Sequence, residues 1–270
     1  MNKIGKIILA IRNLIHQPSL INLLAEDESG FQRYVSKKYP NQNGLPVVGI
    51  EHFIGSESIN ISPYAYLEGG SLVTDMALLK SVCVKYNINK YLEFGTWRGE
   101  SVAVVSSVVE NCTTVNLPDN EMREMGLPDE YINAHRFFSN EHKNITHLQA
   151  NTLKINADFF KGEKFDLIFI DADHHYSSVL NDTKLAFELL KDEKSIIIWH
   201  DYAFNPVKIR NSVYAAILDG TPKDKINNLY HVSNTLCAIY IPENIKLTEI
   251  LSCIPSRHFE INIKSKKEKN

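Results

Sequence analysis

Two clusters of acids and histidines stand at the ends of apolar runs in this 270-residue chain. Phe165-Asp166-Leu167-Ile168-Phe169-Ile170 leads into Asp171-Ala172-Asp173-His174-His175-Tyr176, and Ile196-Ile197-Ile198-Trp199 leads into His200-Asp201-Tyr202. Imidazole exchanges protons near neutral pH. His174, His175 and His200 are therefore candidate bases for a hydroxyl nucleophile, which is weak without a base or a metal. Carboxylates are hard ligands for Mg2+ or Mn2+. Asp171 and Asp201 would supply them, with His200 or Asp173 as a third ligand. Asp171 has a plainer reading too, as the cap of a helix starting near Tyr176.

A third cluster lies upstream, in Tyr91-Leu92-Glu93-Phe94-Gly95-Thr96-Trp97-Arg98-Gly99-Glu100-Ser101. An apolar run ends in an acid, two glycines follow, and a helix-like run begins. A strand, a tight turn and a helix start leave backbone N–H groups free for an anionic group, and glycine permits the turn. The dinucleotide fingerprint needs G-x-G-x-x-G. This chain offers E-x-G-x-x-x-G, which argues against a nicotinamide cofactor. Glu93 before the turn suits a ligand carrying an ammonium, and the N–H groups around Gly99 and Glu100 suit a carboxylate on the same ligand. The bland alternative is a turn whose glycines serve geometry alone.

The elements that would position these residues alternate. Strand-like segments cover 90–94, 113–117, 145–149, 165–170 and 195–199. Helix-like segments cover 71–86, with Ser71 as cap, 100–110, 130–142 and 176–190. This predicts an α/β protein with a Rossmann-like, mostly parallel sheet and helices on both faces. Segments 230–232 and 235–241, joined at Ser233-Asn234, predict a C-terminal antiparallel hairpin. Ligands bind beyond the carboxyl ends of such strands, so Glu93, Asp171 and His200 should meet at one crevice. Residues 203–220 fall where an active-site cover would sit.

Composition narrows the class. Hydrophobic residues make up 44% and the net charge is −3, which gives a real core and no basic excess for nucleic acid. Cys83, Cys112, Cys237 and Cys253 are far apart, so reduced thiols in a cytoplasmic protein fit better than disulfides or zinc. Ile4, Ile7, Ile8, Ile11, Leu14 and Ile15 recur at helical spacing among Lys3, Lys6 and Arg12. An amphipathic helix over 2–16 follows, packed on its own domain or on a second subunit in a homodimer, with membrane-surface docking as the alternative. It is too short and too charged to span a bilayer. Residues 1–70 read as a partly helical extension, 71–245 as the main domain, and 246–270 as a tail ending in a solvated charge run.

The E-x-G-x-x-x-G turn resembles the first motif of class I S-adenosylmethionine-dependent methyltransferases. From about Tyr91 to Ile241 the chain is similar to the subfamily marked by D-G-x-H-x-Y and H-D-Y, related to macrolide-sugar O-methyltransferases and cephalosporin-hydroxylase-like proteins. The resemblance implies S-adenosylmethionine held by Glu93, Gly95, Thr96, Trp97, Gly99, Ser101, Asn116, Asn151, Thr152 and Asp171. It implies catalysis by His174, His200 and Asp171, and an acceptor that is a sugar or another small hydroxylated metabolite. Magnesium at Asp171, Asp201 and His200 resembles the catechol-type enzymes, with His200-Asp201 in place of their Asp-Asn pair. Trp97 has two readings, a ring facing the sulfonium or core packing. Asn116 stands where the family has an acid for the ribose hydroxyls, with Asp119 as a substitute. Ala150-Asn151-Thr152 stands for the family's G-D-S near the adenine. A catalytically inactive nucleoside-binding subunit is the competing expectation.

Overall fold

The computed structural model describes residues 3–16, 28–40, 42–55, 58–250, 254–255 and 257–267. Cys253, residue 2 of the expected helix and the end of the charge run at 268–270 lie outside them. In chain order the described strands are β1 (Val47–Val48), β2 (Lys90–Phe94), β3 (Asn111–Asn116), β4 (Ile145–Gln149), β5 (Leu167–Ile170), β6 (Ile196–Trp199), β7 (Ala203–Asn205), β8 (Lys208–Ile209), β9 (Leu229–Val232) and β10 (Ala238–Tyr240). The helices are α1 (Lys3–His16), α2 (Glu28–Lys38), α3 (Glu51–Ile54), α4 (Val73–Lys85), α5 (Glu100–Ser106), α6 (Asp119–Glu124), α7 (Asp129–Ala134), α8 (Tyr176–Leu189) and α9 (Asn211–Gly220).

Strands β5 and β6 are apolar on both faces and fully buried, as central parallel strands must be when helices cover both sides. The main sheet has the order β1-β9-β10-β6-β5-β2-β3-β4. Strands β6, β5, β2, β3 and β4 run parallel, and β10 runs antiparallel to both β6 and β9. This is the expected Rossmann-like sheet with its C-terminal antiparallel pair. Strand β1, from within the expected extension, pairs in parallel with β9 at the sheet edge. One buried cluster packs α8 and α9 on one face, and a second packs α4 and α5 on the other. The chain leaves β2 toward β3 and later returns to β5 on β2's other side. The crevice therefore opens at the carboxyl ends of β2 and β5.

Two helix boundaries differ from expectation for visible reasons. Helix α5 stops at Ser106, where the Ser106 and Ser107 hydroxyls donate to the carbonyls of Ala103 and Val104. Such back-bonding competes with helix continuation. The helix expected over 130–142 shrinks to α7 because the N–H groups of Arg136 and Phe138 donate instead to the carbonyls of Trp97 and Arg98. Ser71 is not the cap of α4. Leu72 holds that place, and its N–H donates to Asp75 Oδ2 at 2.7 Å.

Helix α2 is clasped to α9 at both ends. The Glu28 carboxylate accepts from the Asn211 backbone N–H and from Ser212 Oγ at the start of α9. At the other end Asp219 accepts from Tyr34, Tyr39 and Tyr176 hydroxyls at 2.5, 2.6 and 2.6 Å and from Lys38 Nζ at 2.9 Å. Burial alone would raise the Asp219 pKa, but these four donors hold it down at about 2. Asp219→Asn should cost roughly 2 kcal/mol and lower Tm by about 5 °C in a thermal melt at pH 7. A depressed carboxylate stabilises the fold above its unfolded pKa of about 3.9. That contribution fades as pH falls toward the folded value, so the gap between the two proteins should close in acid. An unchanged Tm at pH 7 would show that the cluster contributes nothing.

Candidate active site

At the crevice lies a cavity of about 990 Å³, at the upper end of the usual small-molecule range. The turn after β2 contributes Gly95, Thr96, Trp97, Gly99 and Ser101. The ends of β3 and β4 contribute Asn116, Asn151 and Thr152. The ends of β5 and β6 contribute Asp171, Asp173, His174, His200 and Asp201. Glu93 does not line it. The side-chain period of a strand is two, so Glu93 shares a face with Tyr91, which donates to its Oε2 at 2.6 Å. Burial raises the Glu93 pKa to about 8 against hydrogen bonds from Tyr91 and Ser101. It sits fully buried beneath the turn, and its side chain has no direct path to a ligand ammonium.

The turn is fixed by its glycines and by its neighbours. Gly95 has φ +95°, and a Cβ there would lie 2.1 Å from the Asp171 carbonyl oxygen; at Gly99, φ +79°, a Cβ would lie 2.2 Å from Ser139 Oγ. Close protein packing thus requires both glycines before any ligand arrives. A strap over 64–71 closes the adjacent wall. Arg98 and Glu100, both buried, pair at 3.0 Å. Arg98 Nη1 also donates to the Glu68 carbonyl at 2.9 Å, and Glu100 Oε1 accepts from the Ala65 N–H at 2.6 Å. Trp97 packs its ring 4.5 Å from that of Tyr131 and 4.9 Å from that of His135, on the cavity wall.

The amides expected at the nucleoside end already have partners. Asn116 Oδ1 accepts from the Thr96 N–H at 3.3 Å and its Nδ2 donates to the Leu117 carbonyl at 3.0 Å. Asn151 Oδ1 accepts from the Leu153 N–H at 3.0 Å and its Nδ2 donates to Glu121 at 3.1 Å. Asp119 pairs with Arg136 at 3.0 Å and is not among the lining residues. Asp182, from α8, lines this end instead; burial raises its pKa to about 6 and its Oδ2 has no protein partner.

His200 lies among three carboxylates. Its Nε2 is 3.1 Å from Asp75 Oδ2, and its Nδ1 is 3.0 Å from Asp171 and 3.4 Å from Asp201. The Nδ1 contact to Asp171 is short but off the N–H direction, hence an ion pair rather than an aligned hydrogen bond. Burial alone would lower the His200 pKa, but Asp171 and then Asp201 and Asp75 raise it well above the ordinary value. That direction favours the protonated ring, which holds no free lone pair for a substrate proton. The same charge overrides burial at Asp201 and holds it at about 2. Burial pushes Asp171 upward, with His200 opposing. Asp75 and Arg210 are site residues that sequence reasoning missed. Arg210 lies 3.5 Å from Asp201 and 4.5 Å from the Phe204 ring centre.

The pattern of open polar atoms fits a bound group. Trp97 Nε1, Asp182 Oδ2, and Arg210 Nε and Nη1 are buried around the cavity with no protein partner. Leu117, Met122, Ala150 and Leu153 supply an apolar end that suits a flat heterocycle. Ligand atoms of Asp171, His200 and Asp201 lie within 4.8 Å of one another, close enough to hold one cation.

Residues 92–202 match a family model described as a methyltransferase domain. That span runs from β2 through both acid clusters. Over that span the chain is similar to a methyltransferase domain, and the span lies on a Rossmann-like, mostly parallel sheet. No curated protein matches the chain. Among solved structures, an O-methyltransferase from Bacillus cereus in complex with SAH is 12% identical, with 78% of this chain and 97% of that one covered and a TM-score of 0.43. The O-methyltransferase TomG from Streptomyces achromogenes, involved in tomaymycin synthesis and solved with SAM, is 11% identical over 64% of this chain and 81% of that one, with a TM-score of 0.42. The methyltransferase PaMTH1 from Podospora anserina, SAH-bound, is 14% identical over 65% and 81%, with a TM-score of 0.41. At these identities and TM-scores no residue role passes to this chain.

Proposed function

We propose that the protein is an S-adenosylmethionine-dependent O-methyltransferase acting on a sugar or another small hydroxylated metabolite, with a divalent cation assisting. The supporting observation is convergence: the glycine turn of the matched methyltransferase span shares one cavity with Asp171, His174, His200 and Asp201. S-adenosylmethionine, when bound, supplies a methyl group on a sulfonium for in-line displacement. The turn and the strap hold the methionine end, and the apolar wall at Leu117, Met122 and Leu153 takes the base. Asp182 Oδ2 is the acceptor oxygen open to an exocyclic amino group.

His174 is the base in this reading. It lines the cavity half-buried, while both His200 ring nitrogens are engaged, Nε2 with Asp75 and Nδ1 between Asp171 and Asp201. Asp171, Asp201 and His200 Nδ1 would hold Mg2+ or Mn2+, which would lower the pKa of an acceptor hydroxyl. With such a cation bound, His200 would be neutral, and its Nε2–H, donated to Asp75, would fix the tautomer that presents Nδ1. The mixed oxygen and nitrogen set favours Mn2+ over Mg2+.

Calorimetry is expected to show S-adenosylhomocysteine binding and no NAD binding. Transfer to a panel of hydroxylated acceptors is expected to rise with Mn2+ or Mg2+ and to fall with EDTA. NAD binding without S-adenosylhomocysteine binding would overturn the assignment. Asn116 and Ala150, standing where the resembled family carries an acid and a glycine, favour one second reading, a nucleoside-binding subunit without chemistry. Tight S-adenosylhomocysteine binding with no transfer to any acceptor would support it.

A further inference from the structure

Helix α1 turns its apolar residues to solvent. Ile4, Ile7, Ile8, Leu9, Ile11 and Ile15 are each between 45% and 72% exposed. The expectation that this stripe packs on its own domain is therefore not met. A contiguous exposed apolar face marks a contact with something outside the chain. The helix is about 21 Å long at 1.5 Å per residue. Its charged residues are Lys3, Lys6 and Arg12, with no acid among them. A second segment repeats this chemistry without a helix. Ile254, Phe259, Ile261 and Ile263 are exposed, beside Lys264, Lys266 and Lys267, a single acid, Glu260, and Arg257, which pairs with Glu51 at 3.0 Å.

Charge decides the occupant. Residues 3–16 carry +3 and residues 254–267 carry +3; subtracting both from the chain's −3 leaves −9 for the remainder. Two α1 helices packed on each other would set +3 against +3. An anionic phospholipid surface opposes neither segment and accepts both. We propose that α1, joined by residues 254–267, docks this protein on an anionic membrane surface. The isoleucines enter the boundary between headgroups and acyl chains, and the lysines and arginine lie at the phosphates. The acidic remainder is held off by the same surface, so the contact is confined to these two segments.

The test uses the full chain in vesicle co-sedimentation. Vesicles of three parts phosphatidylcholine to one part phosphatidylglycerol are expected to carry the protein down, with binding that weakens as salt rises. Pure phosphatidylcholine is expected to bind at least about tenfold less. Two variants separate the contributions: Lys3→Glu with Lys6→Glu and Arg12→Glu, and Ile7→Ser with Ile11→Ser. Each should lower binding about tenfold or more. The substituted side chains are exposed, so an unchanged thermal melt is the folding control. Absence of vesicle binding, or equal binding to both vesicle types, overturns the proposal. So does a dimer in sedimentation velocity that the Ile7→Ser, Ile11→Ser variant splits, which would assign the stripe to a second copy.

Discussion

Asp171→Asn is expected to lower methyl transfer by about 10²–10⁴-fold while S-adenosylhomocysteine binds within a few-fold of the parent. The carboxylate stands at the end of β5, 3.0 Å from His200 Nδ1. It offers an oxygen to a cation and is the main charge opposing the effect of burial on His200. Asparagine keeps the volume and removes both contributions. His200 then loses much of the reason for its raised pKa, and a cation held there would lose one of its two carboxylates. Single-turnover transfer and calorimetry on the same protein separate chemistry from binding. A variant that transfers at the parental rate once saturated would sink this role for Asp171.

Gly95→Ala is expected to destabilise the fold on the order of 4 kcal/mol and to abolish cofactor binding. The residue has φ +95°, which L side chains rarely adopt, and the new Cβ would stand 2.1 Å from a backbone oxygen. That oxygen belongs to Asp171, whose own N–H donates to the Phe94 carbonyl at 2.8 Å. Relief requires the ends of β2 and β5 to separate, where the crevice is formed. No flexible side chain is available to give way. Denaturant titration measures the loss, and a parental unfolding midpoint would show that the turn relaxes more easily than its geometry implies. Gly162→Ala is a useful control, because its φ is also positive, at +83°, but a Cβ there meets nothing within 4 Å.

The sheet was legible because its strands are short apolar runs bounded by turn residues, and β2 and β4 fall where the pattern placed them. The cluster of Asp171, His200 and Asp201 was legible for the same reason, since parallel strands bring their carboxyl ends together. The position of Glu93 was not legible from the motif alone, because strand parity puts its side chain on the face it shares with Tyr91 and off the cavity lining. Asp75 was missed although a local signal existed: it shares helical spacing with Leu72, Leu79 and Val82, so an acid sat on a buried face. Its partner, His200, lies 125 residues away, and no local pattern encodes that distance. Arg210 and the strap over 64–71 lie in stretches without periodicity, where only tertiary contacts decide the conformation.

Strands β7 and β8 form a two-stranded hairpin of their own outside the main sheet, between Asp201 and Arg210 on the cavity wall. Lengthening a surface connection costs little, because closure entropy grows only with the logarithm of loop length. The hairpin's outer part, 204–208, can thus lengthen at small cost, while Ala203 stays anchored in the core. Grafting a different tip between residues 203 and 209 is expected to leave the eight-stranded scaffold standing and, under the proposed function, to change acceptor choice through Asp201 and Arg210 at its two ends.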